Sequence, residues 1–507
     1  MTRPTDHPAR HPARDPATRF ARDEDGAILL FWAFALAAIL GIVALSFDLG
    51  RVASTQSELQ SYADHVALAA AGELDGKADA ITRAQGAAAN LIADSQTFGT
   101  GGQALSSANY TLDFFATLPP SDLTAMTAPT TVPEDAVYAR VTLTPKTVPY
   151  AFGAALQVLT GTARADPSVG AVAVAGFTQY ACDITPMMFC IPGTSFDADN
   201  PATIGDMIRL RSGGSGGQWG PGNFGFLEPT TLALDASGNC AGSGGTGPTL
   251  RCVLGAVGNI TQCFAVRGVN TEPGQKVGIT NAALNTRFDM WSGAMKNEYD
   301  NPIFAPAPNV IKGMEPQGGY PPSPPPPGQC NWSQQPVTSD TAALPQDDCF
   351  GGTPSCAPYG DGDWTTGRAT YVATNYGGTD LHGAATTRYQ YYLSEIALAA
   401  GGPILTGKTE TGRPMCSPNQ SADPDRRVII AAGVNCDPNN GGTLITGSTP
   451  NVPVHQMVKM FITEPVVDAG STTGLDIYAE IIGRADSPGA GTVGSGAIFH
   501  DVVQLYR

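Results

Sequence analysis

The sequence is short of charge, and of positive charge above all. Only 14% of its 507 residues are Asp, Glu, Lys or Arg, and 28 Lys plus Arg stand against 45 Asp plus Glu, a formal net charge of −17. An average soluble domain carries about 25% charged residues. With 42% apolar residues, the chain is not a charge-rich disordered protein. Nucleic acids and anionic lipid surfaces select basic stripes, so the acidic field speaks against a nucleic-acid partner. The six histidines, His7, His11, His65, His382, His455 and His500, are scattered and show no metal-ligand spacing. No C-x-x-C occurs, which removes the usual zinc-ribbon and thioredoxin signatures, and no internal repeat is visible. What the chain has in quantity is backbone punctuation, 60 Gly and 41 Pro. Its length allows two or three domains.

Residues 27–47, AILLFWAFALAAILGIVALSF, carry no charge. At 1.5 Å per residue this run spans a hydrocarbon core of about 30 Å. A cleaved signal peptide has a shorter apolar region, of about 7–15 residues, so the run reads as a permanent transmembrane helix. Arg10, Arg14, Arg19 and Arg22 lie before it and only Arg51 lies close after it. By the positive-inside rule the tail 1–26 is cytoplasmic and the bulk of the chain is exported. All ten cysteines fall between Cys182 and Cys436, on the exported side. That placement predicts up to five disulfides in an oxidising compartment. Cys182 with Cys190, Cys349 with Cys356 and Cys416 with Cys436 are near neighbours that could pair, although spacing does not fix connectivity.

Leu49, Val52, Leu59, Tyr62, Ala63, Val66, Ala67 and Ala70 keep helical spacing, so the span is expected to continue as a stalk. Gly72 and Gly76 mark a break before a second Ala-rich helix over 78–94, and the stalk segment as a whole runs over 48–98. Alternation then predicts strands at 110–114, 137–143 and 169–177, with a short helix at 151–159, in a small α+β unit over 103–180. The remainder, 181–507, is rich in Cys, Gly and Pro. Irregular loops with brief strands are expected to 309, a polyproline-type spacer at 316–328, a helix at 388–400, and strands near 428–434, 454–462 and 475–482. The fold class expected is α+β, a transmembrane helix and helical stalk followed by a disulfide-rich, strand- and loop-rich exported region.

Several short matches are tested by their context. Gly402-Pro403-Ile404-Leu405-Thr406-Gly407-Lys408-Thr409 fits G-x-x-x-x-G-K-[ST], but a helix precedes it and a turn follows, so it reads as a loop. Gly213-Gly214-Ser215-Gly216-Gly217 fits G-x-S-x-G only through glycine density. Asp235-Ala236-Ser237-Gly238-Asn239 approximates a D-x-S-x-S cation motif without its last serine. The clusters Asp197 to Asn200 and Asp361 to Asp363 offer a few oxygens to Ca2+ but read first as turns, which leaves any metal open. The sequons at Asn109, Asn259 and Asn331 read as chance. No catalytic residue and no cofactor is assigned.

Asp25-Gly26 and the apolar span, then Phe47-Asp48-Leu49-Gly50-Arg51, then the run from Glu58-Leu59-Gln60 through Ala63-Asp64 to Ala69-Ala70-Ala71, resemble the N-terminal module of TadE/TadG-like Flp (tight adherence) pilus-assembly proteins. Val141 to Leu143, Val148 to Phe152 and Ala171 to Ala175 are similar to the strand, small helix and strand that often follow in that family. The resemblance implies a membrane-anchored, non-enzymatic component of Flp/Tad pilus assembly or surface attachment. It also implies a single-pass location in the bacterial inner membrane, a periplasmic bulk, and other pilus-assembly membrane proteins as partners through the N-terminal helix. Family members cut by prepilin peptidase carry a glutamate five residues after the cleavage glycine. Counted from Gly26 that position is Phe31, which implies an uncleaved, TadG-like anchor. Asp48 and Arg51, at the end of the span, would fix its depth. An anchored envelope hydrolase and a Ca2+- or carbohydrate-binding adhesin head are the alternatives.

Overall fold

The computed structural model describes residues 25–90, 93–121, 123–153, 161, 165–182, 184–212, 219–228, 240, 246–257, 263–265, 268–272, 276–314, 337–468, 475–485 and 498–506. The chain divides into two compact units, residues 1–177 with 503–507, and residues 178–502.

The first unit is built on one helix, α1 (Asp25–Ala71). Its amino-terminal half is bare among the described residues: Leu29, Leu30, Phe31, Trp32, Phe34, Leu36, Ile39, Leu40, Ile42, Val43 and Leu45 are all exposed. Its carboxy-terminal half is the reverse. Leu59, Tyr62, Ala63, Val66, Ala67, Ala70 and Ala71 are fully buried, three or four residues apart along one face, as an amphipathic helix on a sheet requires. Leu49 remains exposed, so the buried stripe starts about two turns later than the sequence pattern suggested. The helix stops where expected, with Gly72 N–H donating to Leu68 O at 3.0 Å. A second helix, α2 (Ala80–Asn90), follows, with Ala80, Ala84, Ala87 and Ala88 buried. Arg83 holds the connection, reaching Glu73 at 2.7 Å, Asp75 at 2.6 Å and Asp79 at 3.1 Å.

α1 packs on three strands of a five-stranded sheet, β1 (Tyr110–Phe115), β2 (Tyr138–Leu143) and β3 (Val172–Cys182). They are antiparallel, with Leu112 opposite Val141 and Val141 opposite Ala173. Phe114, Ala139, Val141, Leu143, Ala171, Ala173, Ala175 and Phe177 share one core with the α1 stripe, so the expected stalk and α+β segments pack as one body. Alanines on both faces let the helix axis lie close to the sheet. Residues 503–506 also belong to this unit, and Tyr506 N–H donates to Val174 O at 2.8 Å. Of the helix expected at 151–159, residues 154–159 lie outside the described residues.

The second unit contains a closed barrel. Its strands are β4 (Met187–Cys190), β5 (Met207–Ser212), β6 (Asn223–Leu227), β7 (Val428–Val434), β8 (Val454–Ile462) and β9 (Leu475–Arg484). Pairing runs β4-β7-β8-β9-β5-β6 and back to β4. The β4/β7 and β5/β6 contacts are parallel and the other four antiparallel. Closure leaves no strand edge in the ring. Alternate residues fill the interior, among them Met187, Phe189, Ile208, Leu210, Phe224, Phe226, Ile429, Ala431, Met460 and Ile477. Their neighbours Met188, Cys190, Ile430, Ala432 and Val434 face a second apolar cluster.

Helices α3 (Thr246–Gly255) and α4 (Val277–Asn285) add Leu250, Leu254, Ala283 and Leu284 to the barrel core. Helices α5 (Thr365–Tyr376) and α6 (Arg388–Ala399) pack through Tyr371, Tyr391 and Tyr392 on Phe461. The segment from Cys182 holds the expected brief strands, and β4 and β5 are completed by partners more than 200 residues away.

The disulfides correct two expected pairings. Cys349 pairs with Cys356, but Cys190 pairs with Cys436, and Cys240 with Cys252. Cys182 and Cys416 are also disulfide-bonded, and no described cysteine is free. Cys190 and Cys436 meet because they close neighbouring parallel strands, whereas Cys182 ends a strand of a different sheet.

Candidate functional site

The point where α1 leaves its exposed apolar half is tightly built. Asp48 is buried, and its carboxylate accepts the backbone N–H of Ala151 at 2.8 Å and of Phe152 at 3.2 Å. Phe47 meets Phe152 edge to face, ring centroids 5.5 Å apart. Arg51 does not pair with Asp48, and its guanidinium lies 5.0 Å from the Phe98 ring centroid. Each side chain ties the helix to a different loop. One turn on, Gln56 Nε2 donates to Gly170 O at 2.8 Å, and Glu58 accepts both the N–H and the hydroxyl of Thr97 at 2.8 Å. Gln60 Nε2 reaches Asp64 at 2.8 Å and Val172 O at 3.1 Å. Deeper still, the hydroxyl of Tyr62 is pushed up to about 12 by burial, with Tyr110 and Asp94 adding to the effect.

Polar residues on one helix thus fasten the loops of the α+β unit, and the apolar half is left bare. Residues 26–73 match the Tad family model, TadE/G-like Flp pilus assembly. This Tad module covers the exposed span, the Asp48 junction and the buried alanine stripe. No curated protein and no solved structure matches the chain. The Tad module supplies a helix long and apolar enough to cross a membrane, with none of its most apolar window buried.

The other motifs fall out as follows. Gly402 to Thr409 is a loop with no helix after it, in which Asp340 accepts Thr409 N–H at 2.6 Å and pairs with Lys408 at 3.4 Å. Both the Lys and the loop amide that a phosphate would need are used by that carboxylate. Residues 213–217, 235–239 and 316–328, with Asn259 and Asn331, lie outside the described residues. Asp197 and Asp199 form a turn, with Asp199 accepting Arg484 N–H at 2.8 Å. Asp363 accepts Thr365 N–H at 3.1 Å and holds its carboxyl low through those contacts.

One set of potential ligands, Asp347, Cys349 and Asp361, converges within 4.8 Å. It does not fit a metal as it stands, because Cys349 is oxidised and a metal ligand must be a thiolate. Asp347 is also committed: it accepts N–H groups from Met207, Asp361 and Gly362 at 3.0–3.1 Å and pairs with the guanidinium of Arg388.

Sequence reading missed this use of buried charge. Arg388 is fully buried between Asp347 and Glu480, and Glu480 accepts the N–H groups of Arg388 and Tyr389 at 2.7 and 2.8 Å, capping α6. Glu395 accepts hydroxyls from Tyr371 and Tyr376 and the amide of Asn309, with burial holding its carboxyl above the usual range. Arg427 donates to Ile462 O and Thr463 O, and burial lowers it to about 10. These groups satisfy loop carbonyls and helix ends that no regular ladder reaches.

Among the described residues one Ser–His contact is found, His382 Nδ1 with Ser394 Oγ at 2.8 Å, and burial lowers the His382 ring. Asp380, however, accepts the backbone N–H of His382 and pairs with Arg368, so no acid orients the ring as a hydrolytic triad requires.

Proposed function

We propose that the chain is a single-pass, non-enzymatic component of Flp/Tad pilus assembly or surface attachment, anchored in the inner membrane by α1 with its tail in the cytoplasm and its bulk in the periplasm. The observation that carries this reading is the Tad module itself: one helix whose first half is bare and apolar and whose second half is the core of a folded unit. Such a helix, emerging from a bilayer, can pack beside similar helices of other assembly proteins. The basic residues before the span support the orientation, and the disulfides support an oxidising compartment. The packed polar clusters of the second unit serve its loops, which favours a projecting head over an enzyme. Deleting the gene in a strain that depends on Tad pili, then scoring pili and surface adhesion, tests the role. Normal piliation and adhesion would refute it. Alkaline phosphatase fused after residue 507 tests the topology, and active enzyme is expected.

A further inference from the structure

At one rim of the barrel the parallel strands β4 and β7 end side by side, joined by the Cys190–Cys436 disulfide. The chain beyond each strand end, with the segment before β6, encloses a groove of about 180 Å3 whose lining includes Pro192, Trp219, Asn435, Asp437, Asn439 and Leu444. The walls are held by the fold. Ile191 N–H donates to Val434 O at 3.0 Å, Gly222 N–H to Cys190 O at 3.0 Å, and Gly442 N–H to Asp437 O at 2.8 Å. Trp219 is seated directly on β6, since a Cβ on Gly225 would lie 2.6 Å from its ring.

The chemistry of the lining is selective. Among the described residues no basic side chain lines the groove, so an anion finds no counter-charge from them. Asp437 is spent on its own loop, accepting Asn439 N–H at 3.0 Å and the side-chain amide of Asn440, which disfavours a cation. Asn435 is likewise held between Asn440 O and Asp437 N–H. The indole N–H of Trp219 and the side-chain amide of Asn439 have no hydrogen-bond partner among the described residues. What remains in the lining is the Trp219 indole, an aromatic ring with one N–H donor, and the Asn439 amide, which both donates and accepts. A neutral ring with an apolar face and a rim of hydroxyls matches that set. The volume is below the roughly 300–1,000 Å3 of drug-sized sites and suits a single ring of a longer chain.

We propose that this groove binds one neutral sugar unit of a glycan, stacked on Trp219 and hydrogen-bonded by the Trp219 N–H and the Asn439 side chain. The site stands independently of the pilus-assembly reading. The test titrates the full chain in detergent micelles with neutral oligosaccharides (cello-, manno-, galacto- and chito-oligosaccharides), read by tryptophan fluorescence and calorimetry, with choline as a cationic control.

Saturable binding of at least one sugar is expected, weakened about tenfold or more by Trp219→Ala and about threefold by Asn439→Ala, where tenfold corresponds to about 1.4 kcal/mol. Trp219 also packs on the barrel, so the exposed Asn439 provides the variant that leaves the fold intact. Absence of sugar binding up to about 10 mM, binding indifferent to both substitutions, or saturable binding of choline alone would each overturn the proposal.

Discussion

At the scale of single residues, the described structure spends its few charges on backbone groups. Asp48 is an example at the membrane junction, where its carboxylate serves two loop N–H groups. Asp48→Ala should destabilise the first unit by about 1–2 kcal/mol, as loss of a capping carboxylate does, and Asp48→Asn should lose less. Denaturant titration in micelles measures both. Asp206 makes a different prediction. Burial, with Asp347 and Asp361 nearby, raises its carboxyl from 3.8 to about 6. A carboxyl raised in the folded state contributes stability that is present below about pH 4 and lost as pH rises through 6. Asp206→Asn should therefore match the parent protein in melting temperature at pH 4 and exceed it at pH 7.5, checked by thermal scans at both values. Such residues were hidden in the sequence because nothing around Asp206, Asp347 or Glu480 marks them as neighbours; the barrel strands and the loops between them bring them together.

At the scale of elements, legibility followed locality. The stripe on α1, the stop at Gly72, α6 and the strands β1 to β3 and β7 to β9 could be read because each repeats with the period of its own backbone. The barrel could not, since β4, β5 and β6 are only four to six residues long and β4 and β5 are completed by β7 and β9 from the far end of the sequence. The local Cys349–Cys356 disulfide was legible, but the pairing of Cys190 was not: it lies 246 residues from Cys436, and the short spacing to Cys182 was no guide. The junction was half legible, with Asp48 and Arg51 marked as a motif but not the loops they hold. The close approach of α1 to its sheet makes a direct test. Ala67 is fully buried there, and Ala67→Leu should cost about 1–3 kcal/mol by overpacking, whereas Leu40→Ala in the bare span should leave the unit's denaturation unchanged.

At the scale of the molecule, two units with separate cores should unfold as separate transitions in calorimetry. Every cysteine lies within residues 178–502, so a reductant should lower one transition and leave the other in place. A single transition that moves as a whole would contradict this. The return of residues 503–506 to the first unit carries a temporal consequence. Val174 is translated long before Tyr506, so the body that holds the span must wait with an unfinished sheet while the entire barrel is synthesised. Contacts of such long sequence separation form slowly. A ribosome stalled anywhere in the barrel would then leave the anchoring body, and not the barrel alone, incomplete.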